Sequence, residues 1–158
     1  MNITAIDPGY THSAVVTFDG ERVTERLYDT NDVVLGLVWA YTNPVGALVI
    51  EQVESYGMTV GKEVFGTVWW AGRFHQAWLE GGAVQYPYQM PRREVKLHLC
   101  GQSRAKDANI RQALIDRFGP TKEQAIGRKK SPGPLYGISG DMWAALAVAV
   151  TWWDTRRL

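Results

Sequence analysis

Apolar residues recur along the chain in short blocks cut by turn residues, and the blocks follow two different periods. Residues 2–6 form an apolar run that ends at Asp7-Pro8-Gly9, a turn signal, and predict a short buried strand. Residues 13–18 predict a second strand and 22–28 a third, joined through the hairpin dipeptide Asp19-Gly20. Three strands with tight connections imply an antiparallel meander. Asn31 is placed to cap a helix reaching about Tyr41, with Asn43-Pro44 as its stop. Residues 47–50 are a continuous apolar strand that delivers Glu51 at its end.

Residues 57–61 read as a loop, and 62–79 as a helix closed by Gly81-Gly82. Phe65, Trp69, Trp70, Phe74 and Trp78 recur along this helix at helical spacing. Some of these rings belong to the core. There are too many for one side of a small core, so part of the face is expected to be a subunit interface. Residues 83–88 predict a fifth strand, Pro91 the start of a short helix, and 103–118 another helix. The stretch 120–137 holds Arg128-Lys129-Lys130 and Pro132-Gly133-Pro134 and reads as a flexible basic loop. Ser139 is placed to cap a last helix running through Trp153. The order of elements gives an α/β fold with a mixed five-stranded sheet flanked by helices, in a single domain over residues 1–158.

Composition narrows the class. The chain has 158 residues, 46% of them hydrophobic, which suits one folded core. The longest apolar stretch, 144–153, falls far short of the roughly 20 residues a spanning helix needs. Asp7 interrupts the first apolar run, so no signal peptide is read there, and a soluble, cytoplasmic protein without a membrane partner is expected. Cys100 is the single cysteine, which excludes an intramolecular disulfide and disfavours a thiolate zinc site. Net charge is only +1, but its distribution is uneven. Residues 91–130 carry eleven Lys and Arg against Glu94, Asp107, Asp116 and Glu123. A basic lobe on a near-neutral chain is an electrostatic footprint for nucleic acid.

The candidate chemistry is carboxylate. Asp7 and Glu51 each stand where a buried strand ends. Two acids at adjacent strand ends repel unless something positive lies between them, and a divalent cation answers that need. Asp141 opens the last helix, and the small residues Ala144, Ala145, Ala147 and Ala149 let that helix lie close to a sheet, bringing Asp141 over the same strand ends. Each acid also has a plain structural role: Asp7 can stabilise its own turn and Asp141 can cap its helix. The three together point to a metal cluster of Asp7, Glu51 and Asp141.

These residues fall into recognisable motifs. Ala5-Ile6-Asp7-Pro8-Gly9, Val49-Ile50-Glu51-Gln52-Val53, the segment 95–114 with Lys106, and Asp141 followed by Ala145-Leu146-Ala147-Val148-Ala149-Val150 resemble, in order, the motifs of RuvC-type Holliday junction resolvases. The short chain and its divergent loops resemble a phage-type branch. The resemblance implies an RNase H-like nuclease domain, a homodimer, and hydrolysis of phosphodiesters in branched, four-way DNA with two divalent metal ions per site. It implies 5′-phosphate and 3′-hydroxyl ends. Asp7, Glu51 and Asp141 would be the metal ligands, and Lys106 a catalytic lysine near the scissile phosphate. The family usually has a second acid one turn into the last helix, where this chain has Ala144. Asp107 is a possible extra ligand in its place, although an acid in the first turn of a helix is more often a plain surface residue. Asp154 stands about 20 Å further along the helix and cannot serve. With a ligand missing, Mn²⁺ is expected to be favoured over Mg²⁺.

Arg104, Lys106, Arg128, Lys129 and Lys130 are candidate phosphate contacts, and Tyr56, just past Glu51, a candidate for stacking on an unpaired base. Other readings share parts of this pattern. Another RNase H-like nuclease acting on forks, flaps or structured RNA would carry the same acids. An actin-like nucleotide-binding domain opens with a similar strand and turn, but needs a longer chain and further Gly-rich loops. A binding module without catalysis would account for Ala144.

Overall fold

A computed structural model describes residues 1–41 and 46–156. The Asn43-Pro44 helix stop therefore lies outside the described residues. The first three strands, β1 (Ile3–Asp7), β2 (His12–Phe18) and β3 (Val23–Thr30), form the expected antiparallel meander. Helix α1 (Asn31–Ala40) leads to β4 (Ala47–Gln52), then α2 (Lys62–Glu80), β5 (Tyr88–Pro91) and α3 (Arg92–Cys100). The chain continues through α4 (Asp107–Phe118), α5 (Lys122–Ile126), a small hairpin of β6 (Gly127–Arg128) and β7 (Ser131–Pro132), and α6 (Met142–Arg156). The main sheet is mixed and five-stranded, in the order β3-β2-β1-β4-β5, with β4 parallel to both β1 and β5.

The central strands are buried on both faces, so their side chains feed two separate cores. Strand periodicity assigns them. Ile3 and Ala5 of β1, with Ala47 and Val49 of β4, pack against α3, α4 and α6. Ile6, Leu48 and Ile50 face the other way, onto Val34 and Val38 of α1 and Phe74, Ala77 and Trp78 of α2. The alternation continues past the last apolar residue. It sets Asp7, two after Ala5, and Glu51, two after Val49, on the α6 face. Helix α6 is buried nearly all round, and its run of alanines and valines packs over β1, β2 and β4. Small side chains allow that close approach.

Five expectations need correction. Residues 83–88 are not a strand. Val84 and Tyr86 are exposed, Pro87 carries no N–H for a ladder, and the backbone carbonyl of Gln85 is used by the Trp78 indole at 2.9 Å. The fifth strand begins at Tyr88 and pairs Glu51 with Met90, which is fully buried. The stretch 120–137 is not a free loop either. Ala125, Leu135 and Ile138 anchor it in the core, and Leu135 N–H donates to the Ala125 carbonyl at 2.9 Å. Gly127 makes its hairpin possible, at φ +73° and where a Cβ would collide with the backbone of Ser131 and Gly133. Asn31 does not cap α1 but is its first residue, and its buried side chain turns inward, as described below. Ser139 stands too early to cap α6: the turn before the helix is Asp141, whose carbonyl accepts from Ala144 and Ala145. Likewise α4 starts at Asp107, and 101–106 is a turn.

Candidate active site

Two strand ends and three helix starts meet in a cleft of about 120 Å³ lined by Asp7, Glu51, Arg92, Asp107, Asp141 and Ala144, over a floor that includes Val95, Ile110, Trp143 and Ala147. Asp7 and Glu51 are neighbours because β1 and β4 run parallel in register, Ile6 beside Ile50. Asp141 arrives from the turn before α6, where Gly140 adopts φ +51°. The turn carrying Asp7 is braced from below. Asn31 Nδ2 donates to the Gly9 carbonyl at 2.9 Å, Ser13 Oγ donates to Asn31 Oδ1 at 2.6 Å, and Gly9 N–H donates to Ser13 Oγ at 3.1 Å. This network is buried and satisfied, so it holds the Asp7 backbone in one geometry.

The charges in the cleft strain against each other. Burial, then the nearby carboxylates of Glu51 and Asp141, push the Asp7 carboxyl up to about 8, against the opposing pull of Arg92. Glu51 is also raised, chiefly by burial, with Arg92 pulling it down. Arg92 Nη1 lies 3.3 Å from Glu51 Oε1 and 3.5 Å from Oε2, and its Nη2 is paired with Asp107. Burial works against the charge of Arg92, but Glu51 and Asp107 outweigh it. Four carboxylates with no thiol or imidazole among them make a hard donor set of the kind a divalent cation prefers. A cation beside Asp7 would relieve the repulsion that burial amplifies there. As arranged, no group of three or more His, Cys, Asp or Glu among the described residues closes a metal site.

No family model matches the sequence, and no curated protein matches it. Solved structures do. Thermus thermophilus RuvC is similar over 96% of this chain and 92% of its own, at 20% identity and a TM-score of 0.66. T. thermophilus RuvC in complex with a Holliday junction substrate is similar over the same shares, at 19% identity and a TM-score of 0.66. The chain has a RuvC-type fold. In that RuvC-type frame, Asp7, Glu51 and Asp141 come together around one cleft, and Ala144 occupies its wall without an oxygen to offer. Asp107 lines the same cleft, whereas Lys106 does not; Lys106 is exposed at the start of α4, its N–H donating to Asn109 Oδ1 at 2.9 Å.

The other candidates are spread out. Tyr56 is exposed, at φ +49°, and borders a second cleft of about 280 Å³ with Arg92, Arg93, Lys96 and Ser103. Arg104 is exposed in the turn before α4, and Arg128, Lys129 and Lys130 are exposed at the β6–β7 hairpin. Asp154 is committed elsewhere, to Arg117 and His98. No helix among the described residues is long and apolar enough to cross a membrane.

Sequence reasoning missed Arg92, which it counted only as one charge in the basic lobe. The signal was parity. Met90 is the core residue of β5, and Arg92, two positions on, falls to the same face as Glu51 and Asp7. Placing the fifth strand too early hid that relation.

Proposed function

We propose that this protein is a metal-dependent endonuclease of branched DNA, a Holliday junction resolvase that hydrolyses phosphodiesters to leave 5′-phosphate and 3′-hydroxyl ends. The observation that carries the reading is the convergence of Asp7, Glu51 and Asp141 on one cleft, with Asp7 driven toward its protonated form by burial and then by its neighbours. A carboxylate kept in so unfavourable a place serves a ligand better than it serves the fold. Divalent ions at such a site, Mg²⁺ or Mn²⁺, supply the activation of water and the neutralisation of charge on the phosphate. Asp7, Glu51 and Asp141 hold the cation side of the site. The Asn31–Ser13 brace keeps Asp7 from swinging out. The apolar floor of Val95, Ile110 and Trp143 limits water around the acids and strengthens each electrostatic contact. Tyr56, Arg93 and Lys96 border the neighbouring cleft and give a strand leaving the site a stacking face and two cations. Arg104, Lys106 and Arg128–Lys130 extend the phosphate contacts outward.

In this reading the molecule works as a two-fold dimer through the exposed part of α2, where Phe65, Val68 and Trp69 remain uncovered. The likeness to a RuvC solved on a Holliday junction substrate favours a four-way junction over forks, flaps or structured RNA. Side-by-side cleavage of junction, duplex, flap and RNA substrates with Mg²⁺ and Mn²⁺ tests the reading. Junction cleavage should exceed the others and require metal. Asp7→Asn, Glu51→Gln and Asp141→Asn should each lower it by at least about a hundredfold while junction binding survives. Near wild-type cutting by any one of them removes that residue from the cluster, and equal cutting of plain duplex defeats the junction assignment.

A further inference from the structure

Four carboxylates line the cleft, and they divide into two halves. Glu51 and Asp107 are bridged by Arg92, which reaches both oxygens of Glu51 through Nη1 and pairs with Asp107 through Nη2. Among the described residues, Asp7 and Asp141 have no ion pair and no side-chain hydrogen bond. One half of the site already holds a fixed cation of the protein and the other does not. Ala144, on the same wall, adds no ligand oxygen.

We propose that the Arg92 guanidinium occupies one of the two cation positions of this cleft, so that each site takes up one divalent ion, beside Asp7 and Asp141, instead of two. The inference rests on the metal-dependent reading above. A second ion would need anionic oxygens, and of those left to it both oxygens of Glu51 and one of Asp107 already accept charge-assisted hydrogen bonds from Arg92. Expelling Arg92 would break those bonds and strand a group that cannot shed its charge, because a guanidinium stays protonated at any working pH. Leaving it in place would set a divalent ion against a fixed positive charge. Either route weakens the second ion, and the absent acid at Ala144 removes what could have compensated.

The arginine is also placed to do part of what an ion would do there. It starts α3 directly after β5, so its backbone is fixed by the sheet on one side and by the helix on the other. Its side chain is about 30% exposed, and a guanidinium has five N–H donors, more than its present partners use. The remaining donors are free for phosphate oxygens, which the planar fork fits.

The test counts ions without asking for catalysis. The full chain is titrated with Mn²⁺ alone, and free ion is read by electron paramagnetic resonance. Wild type should saturate at about one Mn²⁺ per chain, and Arg92→Ala at about two, with the broadened signal of a coupled pair. Arg92→Lys retains a cation and should stay near one. Arg92→Gln removes the charge but keeps a polar stem, and should also reach about two; it decides the matter if the alanine variant does not fold by circular dichroism. Two ions in wild type, or one in both charge-removing variants, overturns the proposal. If wild type and all variants bind no Mn²⁺ at millimolar concentration, the metal-dependent reading itself fails, and this inference falls with it.

Discussion

At the scale of single residues, Asp7 shows a conflict between folding and function. Its carboxyl is raised from 3.8 to about 8 by burial, Glu51 and Asp141. An acid whose folded value lies above its unfolded value favours folding only while it stays protonated. That contribution is complete below about pH 4 and is lost as pH rises toward 8. In chelator, Asp7→Asn should therefore be more stable than wild type by a margin that widens between pH 5 and pH 8, reaching about 1–3 kcal/mol after allowance for solvent screening. Thermal melts at the two pH values check this, and an equal margin at both would mean that Asp7 does not titrate there. Ala144 makes a separate point. In the metal-dependent reading its methyl group offers a bound ion no oxygen, and Mg²⁺ depends on anionic oxygens more than Mn²⁺ does. Cleavage at limiting metal should be faster with Mn²⁺ by about tenfold, and Ala144→Asp should shift the preference toward Mg²⁺. If Mg²⁺ serves wild type as well as Mn²⁺ does, and Asp107→Asn then loses the Mg²⁺ activity, Asp107 supplies the missing ligand.

At the scale of elements, what was legible depended on whether a segment had a period. Strands β1, β2 and β4 are continuous apolar runs bounded by turn residues, and their ends named Asp7 and Glu51 directly. Helix α6 was visible from its alanine-rich run, and with it Asp141. Strand β5 was not, because only Met90 in it is fully buried, while the more strand-like Val84 and Tyr86 just before it point to solvent. That one shift concealed Arg92. The segment after α4 was unreadable for another reason: its anchors Ala125, Leu135 and Ile138 are isolated apolar residues with no common spacing, amid Gly, Pro and Lys. Lys106 and Asp107 show the limit of motif reading. Neighbours in a turn point in different directions, and only the structure shows which of them lines the cleft. Helix α2 was legible as amphipathic and more: Phe74 and Trp78 are buried, whereas Phe65 and Trp69 are 64% and 63% exposed. Arg73 stacks on Trp69 and Trp70, covering part of that face. Apolar rings left in water on one helix are the expected centre of a two-fold contact. Phe65→Ser with Trp69→Ser should convert a micromolar sample from dimer to monomer in sedimentation without lowering its melting temperature by more than a few degrees. A wild-type monomer at that concentration, with and without DNA, would remove α2 from the assembly.

At the scale of the whole molecule, one cleft per chain has a consequence for the product. A four-way junction is resolved by two cuts in opposed strands, and a two-fold dimer brings one cleft to each. Asp7, Glu51, Asp107, Asp141 and Arg92 all come from one chain, so in the proposed dimer a dead partner would leave its neighbour chemically intact. Mixing wild type with an equal amount of Asp7→Asn and allowing exchange should give about one quarter fully active dimers and about one half with a single active chain. On a supercoiled plasmid that extrudes a cruciform, paired cuts yield linear DNA and single cuts yield nicked circles. Linear product formed in the first turnover should fall to about one half of that given by the same amount of active chain alone, while nicked circles, scarce with wild type, become the main product. If the chains instead act as independent monomers, the inactive protein only dilutes the active one. The ratio of linear to nicked product would then stay at its wild-type value, measured with the same amount of active chain, and the dimer would have no part in how this protein cuts.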